Sequence, residues 1–129
     1  MNEAKERLER IISSIQDAFV SLDRDLRYAF ANDNAALIAG AKKEDMLGRD
    51  VWDFMADTED KVVRNNLERA IREQIDVCFE FYYPAKDRWY EHRMYPAVEG
   101  GASIFTLDIT ARKKSEERLS VLAKVRRRS

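Results

Sequence analysis

Residues 2 to 16 interleave charged and apolar positions without a glycine or proline, and Ala4, Leu8, Ile11, Ile15 and Ala18 recur at spacings of four, three, four and three. That recurrence predicts a helix with one apolar seam, too short to hold a coiled coil alone. The runs AFVSLD and LRYAFAN, split by the charged turn Arg24-Asp25, predict a β-hairpin. Asn32 or Asp33 can cap a short helix over NAALIA, which Gly40 ends in a left-handed conformation. Gly48 has the same role after KKEDML, and DVWDFM reads as a single helical turn. Asp57 or Thr58 then caps a longer helix with a buried stripe of Val63, Leu67, Ala70 and Ile71, ending near Gln74. VCFEFYY, RWYEHRMYP and ASIFTLDI predict three strands, joined by turns at Pro84 to Arg88 and at Glu99-Gly100-Gly101. From Thr110 the chain becomes charged helix, ARKKSEERLSVLAKV, in which Leu119 and Leu122 are the clear apolar pair.

Two early strands and three late ones can join into one five-stranded antiparallel sheet with short helices on one face, an α+β arrangement flanked by N-terminal and C-terminal helices. The expected boundaries are 1–17 for an N-terminal dimerisation helix, 18–109 for the core and 110–129 for the C-terminal helix. A length of 129 residues suits one core of this kind.

Composition narrows the partners. A formal net charge of -1 gives no field for nucleic acid or anionic membrane, and the basic stretch Lys124 to Arg128 reads as a solvated helix end. Cys78 is the single cysteine, so no internal disulfide forms. The first ten residues are too polar for a signal peptide, and the longest apolar run, Ala35 to Ala41, is too short for a bilayer. The expectation is a soluble, cytoplasmic chain.

Catalytic motifs are missing. His92 is the sole histidine, and no Ser, Cys or Asp accompanies it in a nucleophile pattern. Gly100-Gly101 has no following Lys-Ser or Lys-Thr, so it is a hairpin turn and not a phosphate loop. One histidine and one cysteine on different strands fall short of a zinc set.

The element order, with RWYEHRMYPAVEGG, ASIFTLDITARKKSEERL, FAN, AALIAG and MLG, resembles the PAS family over nearly the whole chain. The junction Asp108, Ile109 and Thr110, with Arg112 two further on, is the most specific segment. The resemblance implies a sensor or relay domain of a signalling protein such as a sensor histidine kinase, without catalysis of its own. It implies a linked or separate output domain, while the apolar stripe of Ala4, Leu8, Ile11 and Ile15, which one domain need not cover, predicts a homodimer through the N-terminal helix. The resemblance also places a cavity between the sheet and the short helices. Candidate lining residues are Tyr28, Phe30, Trp52, Phe54, Phe79, Phe81, Tyr83, Tyr90, His92, Met94 and Phe105, though side chains this large can also fill the space themselves.

His92 falls where relatives usually carry an apolar residue. It can hydrogen-bond a ligand, act as a pH-sensitive group, or sit as a satisfied core histidine. At the junction Thr110 can cap the exit helix, while Asp108 can accept both from Arg112 across it and from the helix's free N–H groups. The resemblance implies a histidine on the long helix for haem and a cysteine in the short helix region before it for cysteinyl-flavin; Asp57 to Gln74 holds no histidine and Asp50 to Met55 no cysteine, so both are disfavoured. No metal is expected, and an unidentified small molecule stays open as the ligand. The alternatives are a ligand-free dimerisation adaptor or a small-molecule-binding or converting α+β cup.

Overall fold

The computed structural model describes residues 17–55 and 58–128. The helix expected over 1–17, with its seam at Ala4, Leu8, Ile11 and Ile15, therefore lies outside the described residues except for Asp17.

β1 (Ala18–Leu22) and β2 (Tyr28–Ala31) form the expected hairpin. The Asp23 carboxylate holds its turn, accepting from the N–H of Asp25 at 2.9 Å and of Arg27 at 3.0 Å. Aspartate favours turns because its short side chain can take up these backbone donors.

The chain leaves β2 through Asn32, which is 1% exposed. Its Oδ1 accepts from the Ala35 N–H at 2.9 Å and the Phe19 N–H at 3.0 Å, and its Nδ2 donates to the Asp17 carbonyl at 2.9 Å. One side chain thus caps α1 (Asp33–Ala39) and ties that helix to the start of β1. Asn32→Ala would strip the cap and leave the Phe19 N–H and Asp17 carbonyl to find other partners. We expect a cost of about 2 kcal/mol. It should register as a lower urea midpoint at unchanged slope; an unmoved midpoint would show that these bonds contribute nothing net.

Gly40 ends α1 at φ 72°, as expected. α2 (Lys43–Met46) follows, then a 3₁₀ turn at Val51–Asp53, whose Trp52 N–H is accepted by the Asp50 carboxylate at 2.9 Å. α3 (Val62–Glu73) carries Val63, Leu67 and Ala70 into the core, with Ile71 half-buried. It starts later than a cap at Thr58 requires; Asp57, the other expected cap, lies outside the described residues. The Thr58 carbonyl accepts from the Lys61 N–H at 2.9 Å, and the Thr58 hydroxyl bonds the Asp60 carboxylate. A local turn has consumed the groups that would have capped the helix.

β3 (Val77–Tyr83), β4 (Arg88–Pro96) and β5 (Ala102–Asp108) complete a sheet ordered β2-β1-β5-β4-β3, antiparallel at every pairing. Arg88 opens β4, as RWYEHRMYP predicts, directly after Asp87 takes a left-handed position at φ 51°. The chain crosses from the β2 edge to the β3 edge through the helices, which lie over one face of the sheet. Met46, Val51, Val63, Leu67, Met94 and Ile104 are fully buried between them.

The other face carries an aromatic row. The Phe19 ring lies 5.9 Å from Phe30 and 4.7 Å from Phe105, and Phe105 lies 6.0 Å from Tyr95.

α4 (Thr110–Arg128) leaves from the end of β5. Its first residues dock on the sheet, and every residue from Lys114 to Val125 is exposed, including Leu119, Val121, Leu122 and Val125. Among the described residues no helix is long and apolar enough to cross a membrane.

Candidate functional site

Side-chain alternation on β4 turns Tyr90, His92 and Met94 inward and Trp89, Glu91, Arg93 and Tyr95 outward, as the sequence predicts. Over Tyr90 and His92 lies a cavity of about 70 Å³. Its helical wall is apolar, formed by Ala35, Ile38, Ala39, Met46, Phe54 and Met55. Its sheet wall is mixed: Ala18, Val20 and Ile104 beside Tyr83, Tyr90, His92 and Thr106. Lys86 sits at the rim, where its ammonium donates to the Ile38 carbonyl and fastens the β3–β4 turn to α1.

His92 is 2% exposed. Its Nδ1 lies 2.9 Å from the Thr106 hydroxyl, and its Nε2 lies 2.9 Å from the Tyr83 hydroxyl. Burial pushes its pKa down to about 4. The imidazole is therefore neutral across the physiological range, a hydrogen-bonding group and not a pH sensor there. The Tyr28 hydroxyl donates to the Val51 carbonyl at 3.1 Å. Burial, then the charges of Asp53 and Asp50, raises that phenol's pKa, so it stays a donor.

Of the aromatic residues expected around the cavity, Tyr28, Phe54, Tyr83 and Tyr90 line it, together with His92. Phe79 and Phe81 pack against the core elsewhere, and Phe79 stacks beside His92 with ring centres 5.4 Å apart. Met94 is fully buried in the core. Trp52 is half-buried beneath the Arg64 guanidinium, 4.3 Å from its ring centre.

Phe30 and Phe105 are on the wrong face. A bulge in β2 shifts the register so that Ser21 pairs with Phe30 while Leu22 pairs with Tyr28. One extra residue reverses the side-chain alternation, sending Phe30 outward. Phe105 follows the alternation set by Ile104 and Thr106, whose side chains face the cavity.

Thr106 and Lys86 were not anticipated. Counting back from the Gly100-Gly101 turn places Thr106 opposite His92, which the register bears out. Nothing local marks Lys86.

The junction differs in detail from its expected form. The Asp108 carboxylate does accept a free helix N–H, that of Thr110 at 2.9 Å, but Thr110 itself is not the cap. Burial raises the Asp108 pKa, but the bonds from Thr110 and the Arg88 charge outweigh it and hold the carboxyl below its usual range. The Thr110 hydroxyl instead turns back to β4, accepting from the Trp89 N–H at 2.9 Å. Ile109, 3% exposed, donates its N–H to the Trp89 carbonyl at 2.9 Å.

The expected Asp108–Arg112 pair does not form. Asp108 faces Arg88 at 3.7 Å, and Arg112 reaches across the outer face to Glu80, and to Glu91 at 3.9 Å. Lys113 joins it, 2.5 Å from Glu80 and 4.8 Å from the Trp89 ring centre. Glu80 and Glu91 are directly paired across β3 and β4. Two carboxylates in that position repel one another, and the cations of the first helical turn relieve the repulsion. The Lys113 bond is the main reason the Glu80 pKa is lowered. Among the described residues no three His, Cys, Asp or Glu side chains are grouped to hold a metal ion.

A five-stranded antiparallel sheet, helices over one face, a cavity beneath them and a helix leaving the last strand together define a sensor-type α+β module. The family model described as PAS fold matches residues 12–114, and the chain belongs to that family. A PAS domain of a protein from Colwellia psychrerythraea is similar at 21% identity and a TM-score of 0.68, covering 85% of this chain and 99% of that one. The PAS domain of the histidine kinase ThkA matches at 25% identity and a TM-score of 0.59, covering 73% of this chain and 100% of that one. A sensory box sensor histidine kinase from Vibrio cholerae matches at 12% identity and a TM-score of 0.61, covering 84% of this chain and 94% of that one. No curated protein matches the sequence. This is a PAS sensor domain of the kind carried by signalling proteins.

Proposed function

We propose that the domain is a non-catalytic input and relay module, in which the contents of the cavity bias the angle of α4 and so the activity of a kinase or other output domain. The observation that carries this reading is the double use of β4. Its inward residues Tyr90 and His92 line the cavity, while its outward neighbours Trp89 and Glu91 hold the first turn of α4. A shift of this strand toward or away from α1 moves both sets together. Coupling then needs two strand positions, each favoured by a different cavity state.

The partner we infer is a second copy, since Leu119, Val121, Leu122 and Val125 find no cover in their own domain. That exposure also supports the rival reading, a ligand-free dimerisation adaptor. Haem and flavin are poor candidates for the ligand, because a cavity of about 70 Å³ is less than half the ~150 Å³ that holds a benzene.

The test is a chimera with a kinase of measurable autophosphorylation placed after α4. Asp108→Ala and Arg112→Ala each remove a partly exposed contact worth roughly 1 kcal/mol or less. Both should leave the melting temperature within a few degrees and change kinase output. Unchanged output in both would reduce the junction to a helix cap and remove the relay.

A further inference from the structure

We propose that the cavity takes a short monocarboxylate, roughly two or three carbons long, with its carboxylate on Lys86 and Thr106 and its alkyl body against α1 and Met46. The inference rests on the cavity being a ligand site and names the class of ligand.

Charge points the same way as shape. Among the described lining residues Lys86 alone carries a charge, and none is acidic. A cationic ligand would meet an ammonium and no counter-charge. The Lys86 ammonium is held by the Ile38 carbonyl, an uncharged acceptor at the rim of the cavity. A carboxylate is the stronger acceptor for an ammonium, so an anion entering there can displace the carbonyl. That exchange would also free the β3–β4 turn from α1.

The sheet wall supplies the second contact. In the His92 tautomer with its proton on Nδ1, Tyr83 donates to Nε2, the Nδ1–H donates to the Thr106 oxygen, and the Thr106 proton points at the ligand; an anion arriving there favours that tautomer. The string Tyr83–His92–Thr106 therefore sets a neutral donor against one edge of the site without adding charge. On the opposite wall the side chains of Ala35, Ile38 and Met46 offer only carbon and sulfur atoms. A molecule with one anionic end and a small apolar body fits this division. The volume, about 70 Å³ and less than half the ~150 Å³ that holds the six carbons of benzene, admits about three heavy atoms, enough for a one- or two-carbon body with its carboxylate at the rim beside Lys86.

The experiment titrates the purified domain with acetate, propionate and butyrate, and separately with propionamide and propylammonium, at constant ionic strength. Melting temperature and two-dimensional amide spectra are recorded. The expected result is a saturable rise in melting temperature with a carboxylate, with shifts at Thr106 and Lys86, and neither effect with the amide or the ammonium. Lys86→Met should weaken carboxylate binding at least about tenfold, Thr106→Val should also weaken it, and Lys86→Arg should restore most of it. Lys86 is exposed, and an unchanged melting temperature of the free Lys86→Met protein separates lost binding from lost folding. Equal binding of propionamide and propionate would overturn the anion assignment while leaving a ligand site in place. No binding by any probe also overturns it, and the kinase chimera with Asp108→Ala then decides independently whether the relay stands.

Discussion

Gly101→Ala is expected to cost about 3 kcal/mol or more and to lower the melting temperature by roughly 10 °C. Gly101 is buried at the entry to β5, beside the end of β1 where Leu22 pairs with Ala102. A methyl group there would stand 2.1 Å from the Leu22 carbonyl oxygen and 3.1 Å from its carbon. Both atoms are backbone, so no side chain can swing aside, and β1 must move off β5. The obstacle is contact, since the Gly101 φ lies outside the left-handed region. Gly40 is the opposite case: φ is 72° and no atom lies within 4 Å of an added Cβ. Gly40→Ala should cost only about 1 kcal/mol from backbone strain. Equilibrium urea unfolding of the two variants checks the order. If Gly101→Ala loses less than Gly40→Ala, the close approach of the two strands is not a constraint.

The second large effect is acid sensitivity. The His92 pKa is about 4 in the fold, where burial disfavours the charge, against 6.5 for an exposed histidine. Between these values the unfolded chain binds a proton that the folded chain refuses. The stability from this group is therefore complete above pH ~6.5, falls as the pH drops, and is gone below pH ~4. The whole span is worth about 3 kcal/mol, of which about 2 kcal/mol falls between pH 7 and 5. Carboxylates with lowered pKa, such as Asp108, lose their contribution further down the scale. Urea unfolding of wild type and His92→Gln at pH 7, 6 and 5 isolates the histidine. The wild-type curve should fall about 2 kcal/mol further than the variant's, and parallel curves would mean that His92 accepts its proton in the folded state.

Both effects depend on packing that only part of the sequence makes legible. The strands, their turns and the cap at Asn32 are written in residues that lie next to one another. Gly40 and Gly100 sit at φ 72° and 113°, where other residues are strained, so their turns are readable from identity alone. The inward side of β4 is readable too, because alternation needs no knowledge of neighbouring strands. Phe30 was not readable: a bulge leaves no mark in YAFA, yet it decides which face the ring meets. The start of α3 was misplaced because Thr58 and Asp60 satisfy one another in a turn as readily as they cap a helix. Arg112 illustrates a harder limit. Its sequence neighbour Asp108 looked like the natural partner, but Glu80 wins from 32 residues away. A paired Glu80 and Glu91 would have signalled a demand for cations, had the register of β3 and β4 been known beforehand.

The exit helix turns this anchoring into mechanics. Its 19 residues at ~1.5 Å each make a rod of about 28 Å, held only near Thr110, Arg112 and Lys113. A tilt of about 5° at that root, smaller than the swing of one side chain between rotamers, carries the far tip through roughly 2.5 Å. That is comparable to the 1–2 Å helix shifts by which subunit interfaces change state. The fulcrum combines buried hydrogen bonds from Ile109 and Thr110 to Trp89, which salt leaves alone, with the surface ion pairs of Arg112 and Lys113, which salt can weaken. The stiffness of this arm thus depends in part on the ionic surroundings of two side chains, while the sheet beneath them keeps its shape.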